Sequence, residues 1–99
     1  MDTSEDIFEE AFQQSVEIGN RLATKESTAE MWEIADGMLA GAIQFWLYSR
    51  QPCGDLLCED CDAINTADLR MTEMRRLIDE FARESEYYHA PTDANVGRA

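Results

Sequence analysis

The sequence has 99 residues, of which 44% are hydrophobic, and a formal net charge of −13 from 21 acidic and 8 basic residues. This length suits a single domain, and the hydrophobic fraction is high enough for a packed core, so wholesale disorder is excluded. A field this acidic repels phosphate backbones and anionic lipid, so we expect neither direct nucleic-acid binding nor membrane binding. It favours encounters with basic protein surfaces, although acidic surfaces also keep small proteins soluble.

The chain carries no sign of export. Its N-terminus lacks the basic region and apolar stretch of a signal peptide, and its most apolar stretch, residues 38–48, is too short to span a bilayer. Three cysteines are an odd number, which argues against a secreted disulfide framework. We therefore expect a cytoplasmic protein.

The first predicted helix is amphipathic. Thr3 or Ser4 can cap its start, and Ser15 and Gly19 lie on its apolar side, where small residues allow another helix to approach closely. The large apolar residues recur at helical spacing on that same side: Ile7, Phe8, Phe12, Val16, Ile18 and Leu22, with Ala11 and Ala23.

A second predicted helix follows the capping box formed by Ser27 and Glu30, and it runs to about Arg50 because Pro52 and Gly54 end it. It is apolar around most of its circumference, so it should be covered from two sides. One flank consists of Met31, Ile34, Met38 and Phe45. The other consists of Trp32, Leu39, Ile43 and Trp46.

We predict that the second of these flanks is a protein-binding or dimer interface. A three-helix protein of this size covers one flank of a central helix well, which leaves the other for a partner. The small residues Gly37, Ala40 and Gly41 beside it permit close helix crossing. The alternative is ordinary packing of both flanks in the core of the protein.

The remaining chain predicts a short acidic helix over residues 55–64, which Asp55 can cap, and a long helix that begins at Asn65 or Thr66. The long helix carries a heptad seam: Ala67, Met71, Met74, Ile78, Phe81, Ser85 and Tyr88. Its outer face offers three ion pairs: Arg75–Asp79, Arg76–Glu80 and Asp79–Arg83. We expect residues 1–89 to form one helical domain and residues 90–99 to be a disordered tail.

The cysteines Cys53, Cys58 and Cys61 share the spacing of plant-type [2Fe–2S] ferredoxins, but such a cluster needs a fourth thiolate. A zinc site would need His89, Asp55 or another subunit as its fourth ligand. A redox role is disfavoured because the flanking acids should raise the thiol pKa values. The simplest interpretation is that Cys61 is a small core residue and the others fill a loop, so we expect no metal and no other cofactor.

Catalysis has little support. The chain's single histidine, His89, lies at the frayed end of the last predicted helix, which argues against a histidine-based triad or a multi-histidine metal centre, and no glycine-rich phosphate loop follows a strand. The carboxylates of Glu33 and Asp36 lie on a polar stripe that is typical of a solvated helix face. We therefore expect a protein without enzymatic activity.

The sequence predicts an all-α fold: a small antiparallel bundle of three main helices plus a short connecting helix, with a homodimer slightly favoured. The preferred function is a small regulatory protein that binds and inhibits or sequesters a protein partner, such as a transcription regulator. The alternatives are a nucleic-acid mimic that inhibits a DNA- or RNA-binding protein, and a thiolate zinc or redox protein that uses Cys53, Cys58 and Cys61.

Overall fold

The computed structural model describes residues 3–24, 28–55 and 57–93, and all regular structure in these ranges is helical, with no strand. The elements in chain order are α1 (Thr3–Ala23), α2 (Thr28–Ser49), a 3₁₀ helix (Glu59–Ile64) and α3 (Ala67–Glu84). The all-α prediction is confirmed. The antiparallel bundle and the dimer stay predictions.

The chain divides into two compact units, Met1–Ser49 and Arg50–Ala99. The prediction that residues 1–89 form a single domain stays a prediction. Within the predicted tail, Ala90 and Asp93 close a turn: the Ala90 amide donates to Asp93 Oδ2 at 2.8 Å, and the Asp93 amide donates to the Ala90 carbonyl at 3.0 Å. The rest of that tail, residues 94–99, lies outside the described residues.

In the first unit, α1 packs against α2. The approach is close at Gly19, where a Cβ atom would lie 3.1 Å from Met38 Sδ and 3.3 Å from Met38 Cε. A small residue on the apolar side of α1 thus admits the neighbouring helix, as the sequence predicts. The capping box predicted before α2 depends on Ser27, which lies outside the described residues.

In the second unit, the short helix differs from its prediction. It begins at Glu59 and has 3₁₀ geometry, and Asp55 does not cap it. The Asp55 carboxylate instead accepts a hydrogen bond from the Leu57 amide at 2.9 Å. An aspartate that bonds to the backbone two residues ahead stabilises a turn, and this turn competes with helix at the same residues. The helix therefore starts three residues later than an N-cap at Asp55 would place it.

The start of α3 agrees with the prediction. Thr66 is the N-cap, and its hydroxyl oxygen accepts a hydrogen bond from the Leu69 amide at 3.1 Å. Arg70 Nη1 donates to the Ile64 carbonyl at 2.9 Å, which satisfies the last carbonyl of the 3₁₀ helix and connects it to α3.

The end of α3 comes earlier than predicted. The seam suggests helix as far as Tyr88, but α3 ends at Glu84 and Ser85 has an extended backbone. The Ser85 hydroxyl oxygen accepts a hydrogen bond from the Tyr87 amide at 3.1 Å. This local bond gives the backbone an alternative to another helical turn, so the helix prediction is wrong for the last two residues of the seam, Ser85 and Tyr88.

Two of the predicted ion pairs on α3 are confirmed. Arg76 lies 3.3 Å from Glu80, and Arg83 lies 3.0 Å from Asp79. Arg76 also pairs with Glu73 at 2.6 Å, an arrangement that the sequence analysis did not anticipate.

The predicted seam of α3 is buried at one position. Met74 is 5% exposed and is the one buried side chain among those that the structure describes. Its seam neighbours are more open, with Met71 at 37%, Ile78 at 47% and Phe81 at 44%. Large apolar side chains of the described helices are therefore exposed to solvent, and they are candidates for an interaction surface.

Candidate functional site

Three sulfur atoms converge in the second unit. The Sγ atoms of Cys53, Cys58 and Cys61 all lie within 4.8 Å of one another, and all three cysteines are free thiols. Cys53 is exposed, and the other two are half-buried. We refer to these atoms as the three-sulfur cluster and to residues 53–61 as the cysteine segment.

Gly54 lets the chain turn between the first two cysteines. Its φ of +91° lies in the left-handed region, which side chains other than hydrogen rarely permit. A tight turn begins at the next residue, Asp55. It is closed by the Cys58 amide, which donates to the Asp55 carbonyl at 3.0 Å. The glycine and this turn return the chain, so that Cys53 meets the pair at the start of the 3₁₀ helix.

The 3₁₀ geometry aligns the second and third cysteines. Cys58 is the N-cap of the helix and Cys61 is its third residue. The Cys61 amide donates to the Cys58 carbonyl at 3.3 Å. Because a 3₁₀ helix has three residues per turn, side chains at positions i and i+3 eclipse each other, and the two sulfurs point the same way.

Hydrogen bonds within the cluster separate the thiols in acidity. The pKa of the Cys58 thiol lies below its ordinary value, first because the backbone N–H of Cys61 donates to its sulfur and then because the Cys61 and Cys53 side chains and the Asp60 backbone add to this donation. The expectation that the flanking acids raise the thiol pKa values is therefore wrong for Cys58.

The pKa of the Cys61 thiol is raised. The backbone N–H of Cys53 lowers it, but hydrogen bonding with the Cys58 and Cys53 side chains, partial burial and the charge on Cys53 together outweigh that effect. The cluster thus holds one thiol that ionises more readily than usual beside one that ionises less readily.

The two side chains predicted as a fourth ligand do not belong to the cluster as the described residues define it. The Asp55 carboxylate is bonded to the Leu57 amide. His89 Nδ1 lies 3.9 Å from Asp93 Oδ2, and its ring meets the Tyr88 ring edge-on at 4.8 Å between centroids.

The predicted interface on α2 divides into exposed and half-buried parts. Trp32 is 71% exposed and Leu39 is 55% exposed, whereas Ile43 and Trp46 are half-buried. We call Trp32 and Leu39, which are seven residues apart and thus on the same side of the helix, the Trp32 face.

The covered side changes along α2. In the first half of the helix, the half-buried side chains are Ile34 and Met38, which share one side. In the second half, the half-buried side chains are Ile43, Trp46 and Leu47, which lie on the opposite side. Each half of the helix therefore leaves one side open, and the Trp32 face is the open side of the first half.

The open side of the second half of α2 carries two aromatic residues, Phe45 and Tyr48. The sequence pattern places Phe45 on a flank that should be covered and assigns Tyr48 to neither flank. Phe45 is 70% exposed and Tyr48 is 75% exposed, with ring centroids 6.2 Å apart. Their i, i+3 spacing near the end of a helix with no basic residue in its last turn is the signal that could have found them.

Gly37 and Gly41 lie on the side of Phe45, because these three residues follow one another at four-residue spacing. That side is opposite to the Trp32 face. Apart from the chain neighbours and the adjacent backbone of α2 itself, a Cβ atom at either glycine would meet no described atom within 4 Å. The six predicted interface residues of α2 are thus distributed over both sides of the helix.

No protein-family model, curated protein or solved structure matches the chain. In the part of the chain that the structure describes, no helix combines the length and hydrophobicity that crossing a bilayer requires. The three-sulfur cluster and the exposed side chains of α2 are the features of the described chain that bear on function.

Proposed function

We propose that the protein is a small, acidic, non-enzymatic regulator that binds a protein partner through the Trp32 face of α2 and thereby inhibits or sequesters it. The exposure of Trp32 at 71% beside Leu39 at 55% carries the proposal. Single exposed apolar residues are ordinary, but large ones side by side are typical of interaction surfaces, and tryptophan is enriched at interface centres.

The charge around this face favours a basic partner. Asp36 lies one helical turn after Trp32 and three residues before Leu39, so its carboxylate borders the same patch. The sequence of α2 contains Glu30, Glu33 and Asp36 and no basic residue. A partner with apolar side chains rimmed by lysine or arginine would complement both features, and the net charge of −13 would speed the encounter. A transcription regulator, which carries basic residues to meet nucleic acid, is a partner of this chemistry.

The same charges count against a second copy of the chain as the occupant. Pairing two Trp32 faces by a two-fold axis would bring Asp36 close to its own copy, and like charges at an interface disfavour association. Sedimentation equilibrium of the purified protein tests this directly. A dimer that Trp32→Ala dissociates would make homodimerisation the role of this face and would overturn the proposal of a basic partner.

The decisive experiment compares two aromatic side chains on opposite sides of α2. Trp32 and Phe45 are almost equally exposed, at 71% and 70%, so alanine at either position should leave folding nearly intact. A partner captured from lysate of the source organism is purified, and its Kd is measured for the wild type and for both variants. We expect Trp32→Ala to weaken binding roughly tenfold or more and Phe45→Ala to change it by less than about twofold.

Salt dependence separates this proposal from a nucleic-acid mimic. A mimic binds through carboxylates, so its affinity should collapse as NaCl is raised, and Trp32→Ala should not affect it. An apolar contact at Trp32 should persist at high salt, with a modest loss from the charged rim. Binding that is abolished by salt and indifferent to both alanine variants would contradict the proposal.

A further inference from the structure

The geometry points to a zinc site in the three-sulfur cluster, with Cys53, Cys58 and Cys61 as ligands and water in the fourth position. A tetrahedral Zn²⁺ with Zn–S bonds near 2.3 Å places neighbouring sulfurs about 3.8 Å apart. The three Sγ atoms already lie within 4.8 Å of one another, so they need to close by at most about 1 Å. This inference is independent of the proposed binding at the Trp32 face.

The backbone organises this cluster in a manner suited to a metal. The left-handed Gly54 and the turn from Asp55 to Cys58 bring Cys53 back, and the 3₁₀ start aligns Cys58 with Cys61. The backbone thus brings the three sulfur atoms together before a metal is bound.

The chemistry of the donors selects the ion. Three thiolates are soft ligands, which excludes Mg²⁺ and Ca²⁺, and an iron–sulfur cluster would need a fourth cysteine in a chain that has three. Zn²⁺ accepts three protein ligands and one water. The cysteines share their stretch of sequence with Asp55, Glu59, Asp60 and Asp62, whose negative charges attract a divalent cation.

Binding exchanges protons for metal. Three S–H bonds are replaced by three Zn–S bonds, the three protons pass to the buffer, and no electron is transferred. The thiols must be reduced for this reaction, since a disulfide between any two of them leaves too few ligands.

The full-length protein is purified with a reductant and without a chelator, and its zinc content is measured by inductively coupled plasma mass spectrometry. We expect about one zinc ion per chain. Exchange with Co²⁺ should give the intense near-ultraviolet absorption of thiolate-to-cobalt charge transfer, which reports sulfur ligation directly.

The variants Cys53→Ser, Cys58→Ser and Cys61→Ser should each lose the stoichiometric zinc and weaken or lose the cobalt band. Asp62→Asn is the matched control, since it removes an acid from the same 3₁₀ helix and retains all three sulfurs. Far-UV circular dichroism confirms that α1, α2 and α3 persist in each variant.

Three results would overturn the site. The first is reduced wild-type protein that holds no zinc and gives no cobalt band. The second is zinc retained by all three serine variants, which would indicate carboxylate binding. The third is stoichiometric zinc without charge transfer on cobalt exchange. Zinc content and partner binding are separate measurements, so the failure of one proposal can be distinguished from the failure of the other. Both proposals stand if Trp32→Ala loses partner binding and retains zinc.

Discussion

Gly54 determines the conformation of the cysteine segment, because its φ of +91° is unfavourable for any residue with a Cβ atom. We expect Gly54→Ala to lower the free energy of unfolding by roughly 1–2 kcal/mol, measured by urea denaturation with far-UV circular dichroism. The cost comes from the local backbone and not from contact with distant residues, since beyond the two chain neighbours a Cβ there would meet no described atom within 4 Å.

Gly37→Ala is the matched control for this substitution. Gly37 also has open space around its Cβ position, but it lies within α2 and has a helical backbone. Alanine should therefore stabilise the protein by about 0.5–1 kcal/mol. Effects of opposite sign at the two glycines are the expected pattern, and stabilisation by both alanine substitutions would show that the backbone at Gly54 is not strained.

Glu73 should make the stability of α3 depend on pH. Its pKa is lowered, chiefly because Arg76 donates a hydrogen bond to its carboxylate, with Coulombic attraction to Arg76 and Arg50 in addition. A carboxylate with a lowered pKa stabilises the fold above its ordinary value of about 4.3, and this stabilisation is lost as the pH falls through the lowered pKa.

Glu73→Gln removes this contribution and keeps the size of the side chain. At neutral pH the variant should melt at a slightly lower temperature than the wild type, and the difference should vanish in acid, where the wild-type carboxyl is protonated. Thermal melts of both proteins across the acid range measure it. A difference that grows as the pH falls would contradict the assignment.

Among the elements, α1 and α2 approach each other closely where Gly19 meets Met38. We expect Gly19→Ala to stabilise the protein less than Gly41→Ala, although both residues are glycines within helices. Alanine at Gly41 gains helix propensity of about 1 kcal/mol with open space around it, whereas alanine at Gly19 would lie 3.1 Å from Met38 Sδ and must displace that side chain.

Urea denaturation of both alanine variants gives the comparison. Adding Met38→Ala to each variant separates propensity from contact, because the two glycine positions should become equivalent once the thioether is gone. Equal stabilisation in the presence of Met38 would show that the contact does not constrain the helix pair.

The elements also show how far sequence reasoning extends. The bounds of α1 and α2 could be predicted because apolar periodicity, Pro52 and Gly54 are local signals. The 3₁₀ start at Glu59 and the end of α3 at Glu84 could not, because hydrogen bonds that side-chain oxygens accept from nearby backbone amides outweighed helical propensity there.

The candidate sites were predictable to different degrees. The shared direction of Cys58 and Cys61 follows from their spacing, but the return of Cys53 depends on one left-handed glycine. The exposure of Trp32 and Phe45 on opposite sides of α2 depends on which neighbours cover each half, and a periodic pattern carries no such information.

At the scale of the whole molecule, acidic residues outnumber basic ones by 21 to 8. The excess negative charges repel one another in the folded state. We expect added NaCl to raise the thermal midpoint at neutral pH, because screening relieves this repulsion over a Debye length that falls to about 10 Å at 0.1 M. Screening also weakens the exposed ion pairs of Arg76 and Arg83, but the carboxylates that repel one another outnumber these pairs.

Thermal melts in NaCl and in KCl test this expectation. The two salts should act alike if screening is the cause, since screening depends on ionic strength and not on the identity of the cation. A midpoint that stays constant or falls with either salt would show that local ion pairs outweigh the global repulsion.

The burial of Met74, unique among the described side chains, has a consequence for how this sequence can change over generations. In most domains the apolar residues are held constant because substitutions create cavities. Here most apolar side chains are half-buried or exposed, so we expect substitutions there to leave smaller cavities and to cost less folding stability. Selection at Trp32 and Leu39 would then act through what they bind, so related chains that have changed partner should differ first at these two residues and keep Met74 and Gly54.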